Sequence, residues 1–251
     1  MKKLIARLQE SLAQSDRKGT FPVPECHGRR FVIPDIHGCS NTFRELVEKI
    51  ALTEDDQLFL IGDYIDKGLD SKGVLDFISE LDENNMMLYP IRGNHEQMFL
   101  DISKKNAYMI ESYAKRERLT NLLDGQKIKE PYRSFFECLP YYYELKDFYI
   151  VHAGFNFKAA NPFEDFEEML WIRDYTADPD WVGSKSILHG HTPSYKSVIM
   201  ECIQNHYSVI PLDNGCVFSN GGFNENYGNL ICLNLDTYEV IVQPNINDIV
   251  R

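Results

Sequence analysis

No apolar run in the sequence reaches the roughly eighteen residues that a membrane-spanning helix needs. The N-terminal stretch MKKLIARLQESLAQSDRKG has two early lysines, but Arg7, Gln9 and Glu10 interrupt its apolar positions. This pattern predicts an amphipathic helix within residues 1–20 and not a signal peptide. We therefore expect a cytoplasmic protein that makes no use of a membrane.

Paired cysteines are also missing. The six cysteines lie far apart, and no two of them form a CxxC pair. Without a secretion signal, this spacing indicates reduced thiols and argues against a disulfide framework or a zinc ribbon.

Basic residues are scarce relative to acidic ones. The chain has 26 Lys and Arg against 38 Asp and Glu, which gives a formal net charge of -12. A protein that grips nucleic acid through phosphate neutralisation needs a basic surface, so nucleic acid is not an expected partner. With 15 Gly and 11 Pro in 251 residues, low-complexity material is excluded. We find no internal repeat or flexible linker and expect a single domain over residues 1–251.

The first half of the chain alternates short apolar runs with polar clusters and helical patterns. The three units are FVI followed by PDIHGCS, QLFLI followed by GDYIDKG, and MMLYPI followed by RGNHE. Such alternation predicts β-α-β units around a buried sheet. Ligand sites in these sheets lie at the carboxyl ends of the strands, where all three polar clusters fall.

Residues 101–134 interrupt this alternation, and strands return after them. The segment is rich in Lys, Glu, Arg and Asn with helical spacing, which predicts a helical excursion or cap over the sheet. The later strand candidates are YYYEL, FYIVHAG, SILHGHTP, HYSVIPLDNG, NLICLNL and EVIVQP. Because they are short, alternating and bounded by turn residues, they predict a second, mainly antiparallel sheet.

The polar clusters combine carboxylates, imidazoles and one amide. Their members are Asp35, His37, Asp63, Asp66, Asn94, His95, His152, His189 and His191. This mixture favours a borderline divalent metal such as Mn, Fe or Zn over softer or harder ions. More donors are present than one tetrahedral ion can use. Two metals that share a bridging carboxylate are the simplest interpretation, and such pairs catalyse attack on phosphorus.

The ordered motifs PDIHG, GDYIDKG, RGNHE, HAG and GHTP resemble those of the calcineurin-like metallophosphoesterases. Within that family they are most similar to the bacterial and lambda-phage serine/threonine protein phosphatases and to the symmetrical dinucleoside tetraphosphatases. The stretch LDNGCVF at residues 212–218 resembles a segment of the bacterial members. The resemblance implies an α/β (α+β) fold, a four-layer αββα sandwich of two packed mixed sheets flanked by helices.

The resemblance also implies a metal-ligand set and a nucleophile. Its six implied ligands are Asp35, His37, Asp63, Asn94, His152 and His191. Asp35 and His37 would bind the first metal and Asp63 would bridge both. The other three would complete the second site. In this family the nucleophile is a hydroxide that bridges the two metals, and Mn is the expected ion, with Fe or Zn as alternatives.

Further roles follow from the same resemblance. His95 matches the general acid and Asp66 the carboxylate that orients it. Lys67 and Arg173 match phosphate-binding positions, but Lys67 replaces the usual arginine and offers a point charge where arginine offers a planar fork. Pro34 is a second departure, because the first motif normally has glycine there.

Two neighbouring side chains keep alternative interpretations. His189 either supports the metal ligands or is purely structural. Trp171 either floors a substrate pocket or belongs to the core.

Together these features predict a metal-dependent phosphoesterase that hydrolyses phosphomonoesters. The first hypothesis for its substrate is a phosphorylated protein, as in a serine/threonine protein phosphatase. The alternative is a dinucleoside tetraphosphate or another nucleotide. A non-catalytic, metal-holding scaffold is a third hypothesis, which predicts lost ligands or a lost acid, and the chain retains both.

Overall fold

The computed structural model describes residues 1–218 and 226–246. The domain predicted for residues 1–251 also includes 219–225 and 247–251, which lie outside the described residues. Among the helices of the described part, none has the length and apolar character required to cross a membrane.

The structure combines α-helices with two larger sheets and one small hairpin. The strands are β1 (Arg30–Ile33), β2 (Gln57–Leu60), β3 (Met87–Pro90), β4 (Leu123–Asp124), β5 (Lys127–Ile128), β6 (Tyr142–Glu144), β7 (Phe148–Val151), β8 (Ser186–His189), β9 (Val209–Pro211), β10 (Asn229–Asn234) and β11 (Val240–Pro244). The α-helices are α1 (Lys2–Gln14), α2 (Ser40–Lys49), α3 (Ser71–Glu83), α4 (Asn94–Ser103), α5 (Ala107–Arg116), α6 (Tyr132–Cys138), α7 (Glu168–Trp171), α8 (Pro179–Val182) and α9 (Lys196–Gln204).

The first sheet has the strand order β11-β10-β1-β2-β3. β1, β2 and β3 run parallel, and helices α2 and α3 form the crossovers between them. All four residues of β2 are buried, as expected for a strand that is covered on both faces. The predicted β-α-β units are therefore present.

The second sheet has the order β6-β7-β8-β9, and its predicted antiparallel character is wrong. Only β6 and β7 pair antiparallel, whereas β7-β8 and β8-β9 are parallel. The reason is that α7 and α8 connect β7 to β8, and α9 connects β8 to β9, so these links are crossovers and not hairpins. The last two strands join the first sheet, where β10 pairs antiparallel with β1.

The two sheets pack face to face around the main hydrophobic core. Tyr143 of β6 lies in that core and contacts Phe59 and Tyr89 of the first sheet at ring-centroid distances of 5.8 and 5.7 Å. Its neighbour Tyr142 points to the opposite face and packs against Phe155. Helix α2 covers β10 and β11, and α9 packs against β9. This layering confirms the αββα sandwich.

The segment 101–134 is more varied than the predicted helical excursion. It contains the end of α4, all of α5, a 3-10 turn at Thr120–Leu122, the β4-β5 hairpin and the start of α6. Gly125 has φ 57° and provides the tight reversal between β4 and β5, a conformation that glycine adopts without a steric penalty.

Candidate metal centre

The predicted donors converge where the parallel strands of both sheets end. They follow β1, β2, β3, β7 and β8 directly in the chain. The backbone there is strained, since His37, Asp63, Asp66, Lys67 and His191 all have φ between 45° and 71°. Residues other than glycine rarely adopt this conformation, and functional sites are where it concentrates.

Two groups of side chains lie close enough to hold a metal ion. His37, Asp63 and His95 form one, and Asp63, His152 and His191 form the other. Within each group the ligand atoms lie within 4.8 Å of one another. Asp63 belongs to both groups, which is the arrangement expected of a bridging carboxylate.

Backbone carbonyls orient two of the imidazoles. Nδ1 of His37 lies 2.9 Å from the Ile65 carbonyl, and Nδ1 of His152 lies 2.8 Å from the Ile61 carbonyl. A carbonyl can only accept, so each ring donates its Nδ1 proton there. The Nε2 lone pair of each ring therefore points towards the carboxylates. This outer hydrogen bond is characteristic of histidines that bind metals.

Several lone pairs face one another around Asn94. Nε2 of His152 lies 2.9 Å and Nδ1 of His191 lies 3.0 Å from Oδ1 of Asn94. Nε2 of His152 carries no proton in the tautomer set by Ile61, so two acceptors meet there. Nε2 of His191 is buried and is one of the few such atoms without a hydrogen-bond partner among the described residues. A cation bound between these atoms would accept the lone pairs of Asn94 Oδ1, His152 Nε2 and His191 Nε2.

The buried carboxylates also indicate that the site binds cations. Burial, together with the charges of Asp213 and Asp63, raises the pKa of Asp35 well above its ordinary value. Oδ1 and Oδ2 of Asp35 lie 3.0 and 3.1 Å from the backbone N–H of His191, and Oδ2 lies 3.9 Å from Nε2 of His37, so the carboxylate borders both groups. Concentrated negative charge in a buried site favours divalent cations, so the residues fit two metal ions.

The imidazoles are in the protonation state that metal binding needs. Burial lowers the pKa of His37 to about 3. Burial also lowers the pKa of His191 to about 3, with the charges of His152 and Arg173 acting in the same direction. Both rings are therefore neutral near pH 7, and neutral imidazole is the form that binds a metal.

Lys67 is an exposed residue whose side chain reaches a predicted metal ligand. Its Nζ is 2.7 Å from Nε2 of His37 and donates to that lone pair. The side-chain amine of Lys67 thus lies beside a predicted ligand atom. The Lys67 carbonyl accepts a hydrogen bond from Arg118, at 3.5 Å.

His95 and Asp66 form a direct pair. Nδ1 of His95 lies 2.6 Å from Oδ2 of Asp66, and the Tyr113 hydroxyl donates to the same oxygen. Burial lowers the pKa of His95, but Asp63 and the hydrogen bond to Asp66 outweigh it and raise that pKa. A raised pKa favours the protonated imidazole, which is the form that a general acid requires.

Arg173 lies at the edge of the centre and lines a groove of about 850 Å³. His189 and Tyr175 also line this groove, with their rings 5.9 Å apart. Nδ1 of His189 lies 3.0 Å from the Gly190 carbonyl, and burial lowers the pKa of His189 to about 4. His189 is thus a neutral ring behind the ligands and belongs to neither metal group.

Three residues that the sequence interpretation gave no role shape the centre. Glu96 accepts hydrogen bonds from the backbone N–H groups of Asp63 and Tyr64, both at 2.9 Å. Tyr113 reaches Asp66 from α5, and Asp213 adds charge beside Asp35. Glu96 stands three residues after the N-cap of α4, so capping-box spacing could have identified it. The contact of Tyr113 spans 47 residues, and no local pattern predicts it.

Two glycines let the backbone approach the carboxylates. A Cβ atom on Gly93 would lie 2.2 Å from Oδ1 of Asp63, and one on Gly190 would lie 2.1 Å from Oδ1 of Asp35. Both contacts are far below van der Waals distance. The glycines of GNH and HGH therefore preserve the positions of two predicted ligands.

The fold and this donor set define a metallophosphatase, a hydrolase that acts on phosphoric ester bonds. Residues 28–227 match the calcineurin-like phosphoesterase family, and the chain belongs to it. The resemblance inferred from the five motifs is thereby confirmed.

Relatives of two kinds, tetraphosphatases and a protein phosphatase, are similar to this chain. The asymmetrical bis(5'-nucleosyl)-tetraphosphatase PrpE of Oceanobacillus iheyensis is 27% identical over 218 residues, which cover 75% of this chain and 84% of that protein. Serine/threonine-protein phosphatase 1 of Salmonella typhimurium is 29% identical over 205 residues, covering 75% and 87%. A symmetrical bis(5'-nucleosyl)-tetraphosphatase of Nitrosospira multiformis is 34% identical, but over only 38% of this chain and 32% of its own length.

Solved structures show the same fold. A candidate diadenosine tetraphosphatase superimposes with a TM-score of 0.66 at 22% identity, covering 91% of this chain and 99% of that chain. A serine/threonine phosphatase from Saccharomyces cerevisiae gives a TM-score of 0.60 at 18% identity, covering 99% and 90%. These likenesses confirm the predicted architecture.

Proposed function

We propose that the protein hydrolyses dinucleoside tetraphosphates in a reaction that depends on two divalent metal ions. The observation that carries the phosphoesterase chemistry is the pair of groups that share Asp63, one of which includes His95, together with the hydrogen bond between His95 and Asp66. The nucleotide substrate is supported by the PrpE relatives, which match this chain over about three quarters of its length. The comparisons therefore favour the nucleotide alternative over the protein phosphatase hypothesis.

In this proposal, six residues hold the metals. Asp35, His37 and Asp63 would bind the first ion, with Asp63 shared, and Asn94, His152 and His191 would complete the second site. The nitrogen and oxygen donors, with no thiolate among them, suit Mn, and Fe or Zn are compatible with the same set. Bound divalent ions would neutralise phosphate charge and lower the pKa of a coordinated water.

His95 would act as the general acid. Asp66 accepts from its Nδ1, which leaves Nε2 to hold the proton that the leaving oxygen takes up. Nε2 lies 3.9 Å from Oδ2 of the shared Asp63, so the acid borders the metal ligands. This retained acid argues against a non-catalytic scaffold.

Two cations would bind the substrate phosphates. Arg173 is exposed at the edge of the groove, and its guanidinium can hold two phosphate oxygens at once. Lys67 contacts His37 and would contribute a single charge close to the metals. A tetraphosphate chain carries more negative charge than a phosphomonoester, so it would use both cations.

A serine/threonine protein phosphatase is the second candidate. The similarity to the Salmonella typhimurium enzyme, 29% identical over 87% of that protein, favours it specifically. Both candidates use the same ligands and acid, so only the substrate distinguishes them.

A substrate panel tests the proposal. Purified protein with Mn²⁺ should hydrolyse diadenosine tetraphosphate with at least about tenfold higher kcat/KM than a phosphoserine peptide. The asymmetrical relatives lead us to expect AMP and ATP as products, measured by anion-exchange chromatography. Preference for the phosphopeptide would replace the first candidate with the second.

A further inference from the structure

Trp171 is an exposed aromatic side chain at the edge of the metal centre. It is 42% exposed, although the buried residues beside it in α7, Met169 and Leu170, belong to the interior. Its ring meets the ring of His191 edge-on, with centroids 6.3 Å apart and an interplanar angle of 87°. Of the two interpretations of Trp171, the core position is therefore wrong, and the ring borders a predicted metal ligand.

The position of Trp171 is fixed by the backbone. The Met169 carbonyl accepts a hydrogen bond of 2.8 Å from the N–H of Ala153, the residue after His152. The N–H of Ile172 closes the helix on the Glu168 carbonyl at 2.9 Å. A large π-surface is thus held in place relative to the metal centre without filling the core.

We propose that Trp171 is a stacking platform for a nucleobase of the substrate, a property that rests on the proposed nucleotide hydrolase function. Every nucleobase presents a π-face, and stacking on an exposed aromatic ring is the usual way in which proteins hold an unpaired base. Arg173 lies two residues further along the chain and binds phosphate in the proposed function. A base on Trp171 and phosphates between Arg173 and the metals would belong to one nucleotide.

Other exposed aromatic residues fit this role less well. Tyr195 is 45% exposed, but its ring pairs with Tyr227 at a centroid distance of 5.0 Å. Trp181 is 38% exposed and packs against Phe163, in the cluster on the outer face of the second sheet. Trp181 therefore provides a control of the same residue type and similar exposure.

The kinetic test compares substrates with and without a base. In Trp171→Ala, KM for diadenosine tetraphosphate should rise about tenfold. This increase should be at least fivefold larger than any increase in KM for inorganic tripolyphosphate. Trp171→Phe should recover most of the affinity, because phenylalanine retains a stacking face. Trp181→Ala should behave as the parent protein on both substrates. Equal losses on the two substrates, or none, would overturn the proposal.

A binding measurement separates this inference from the proposed function. Trp181→Phe leaves Trp171 as the single tryptophan, whose fluorescence should be quenched by the β,γ-methylene analogue of ATP in the presence of Mn²⁺, whereas tripolyphosphate should quench it at least fivefold less. Quenching without hydrolysis of diadenosine tetraphosphate would support the platform and contradict the proposed function. Hydrolysis with no base-dependent quenching would support the function and overturn the platform.

Discussion

At the scale of single residues, the chemistry divides between Asp63 and His95. Asp63 is shared by both ligand groups, and its Oδ1 accepts a 3.1 Å hydrogen bond from the backbone N–H of His95. In the proposed function His95 would carry the proton, and its ring is hydrogen-bonded to Asp66. The two side chains are neighbours, but their proposed tasks differ, and mutation can separate them.

His95→Asn should lower kcat by about a hundredfold to ten-thousandfold, because it removes the proton donor. Its metal content should stay at that of the parent protein. Asp63→Asn should lower both activity and metal content, since it weakens both sites at once. Steady-state kinetics with atomic emission analysis of dialysed protein checks both. Equal metal loss in the two variants would assign His95 to the ligands instead.

The convergence of the predicted ligands could be anticipated from the sequence because each lies in a short motif directly after an apolar run. PDIHG, GDYIDKG and GNHE each place donors within a few residues of a strand end, and parallel strands bring those ends together. The exposure of Trp171 and the contact of Tyr113 with Asp66 could not be predicted this way. Both depend on how distant segments pack, which no local pattern records.

At the scale of elements, the start of α4 holds the loop after β2. Glu96 lies three residues inside this helix and accepts from the N–H groups of Gly93, Asp63 and Tyr64. Burial and the charge of Asp63 raise the pKa of Glu96. Its two oxygens nevertheless accept hydrogen bonds from backbone N–H groups, which favour the ionised carboxylate. The Glu96 side chain therefore connects helix α4 to the loop that carries Asp63.

Glu96→Gln should destabilise the fold and loosen the metal centre. An amide NH₂ would replace one acceptor and face a backbone donor, at a cost of about 1–3 kcal/mol in the free energy of unfolding. Urea denaturation measures this loss, and metal titration should show weaker binding. The exposed Glu111→Gln in α5 is the control and should change neither value. Unchanged stability in Glu96→Gln would show that these hydrogen bonds do not hold the loop after β2.

A second junction ties the start of β1 to the start of β2. Asp56 accepts hydrogen bonds from the backbone N–H of Arg29 at 2.7 Å, from its guanidinium, and from Thr53. Burial raises the pKa of Asp56, but these hydrogen bonds outweigh it and lower the pKa to about 2. Because the folded pKa lies below the ordinary value of 3.8, ionised Asp56 stabilises the fold above about pH 4.

Asp56→Asn should therefore lower the free energy of unfolding by about 2 kcal/mol at pH 7. The difference from the parent protein should shrink as the pH falls from 4 towards 2, where the parent carboxylate takes up its proton. Denaturation at a series of pH values measures this difference. The neighbouring exposed Asp55→Asn is the matched control. A difference that persists undiminished at pH 2 would show that charge is not the cause.

Strand topology could be predicted only in part. The β-α-β order of the first half follows from its pattern, and those three strands pair as expected. The sequence does not predict the pairing of β10 with β1, because a strand can join any open sheet edge and local residues do not specify which one.

At the scale of the whole molecule, the formal net charge of -12 seems unfavourable for a polyphosphate substrate. Locally the balance differs, because two divalent cations would add four positive charges beside Lys67 and Arg173. The electrostatic field in a cleft is set mainly by the nearest charges, and bound metals are the largest of them. Substrate binding as well as chemistry should consequently depend on metal.

The most direct test of the account is hydrolysis of diadenosine tetraphosphate before and after metal removal. The account predicts nucleotide release with Mn²⁺, loss of at least about a hundredfold in kcat/KM after chelation and dialysis, and recovery when Mn²⁺ is returned. Circular dichroism on the same samples shows whether the chain stays folded throughout. Turnover that survives complete chelation, or no turnover of this substrate in the metal-loaded protein, would contradict the account.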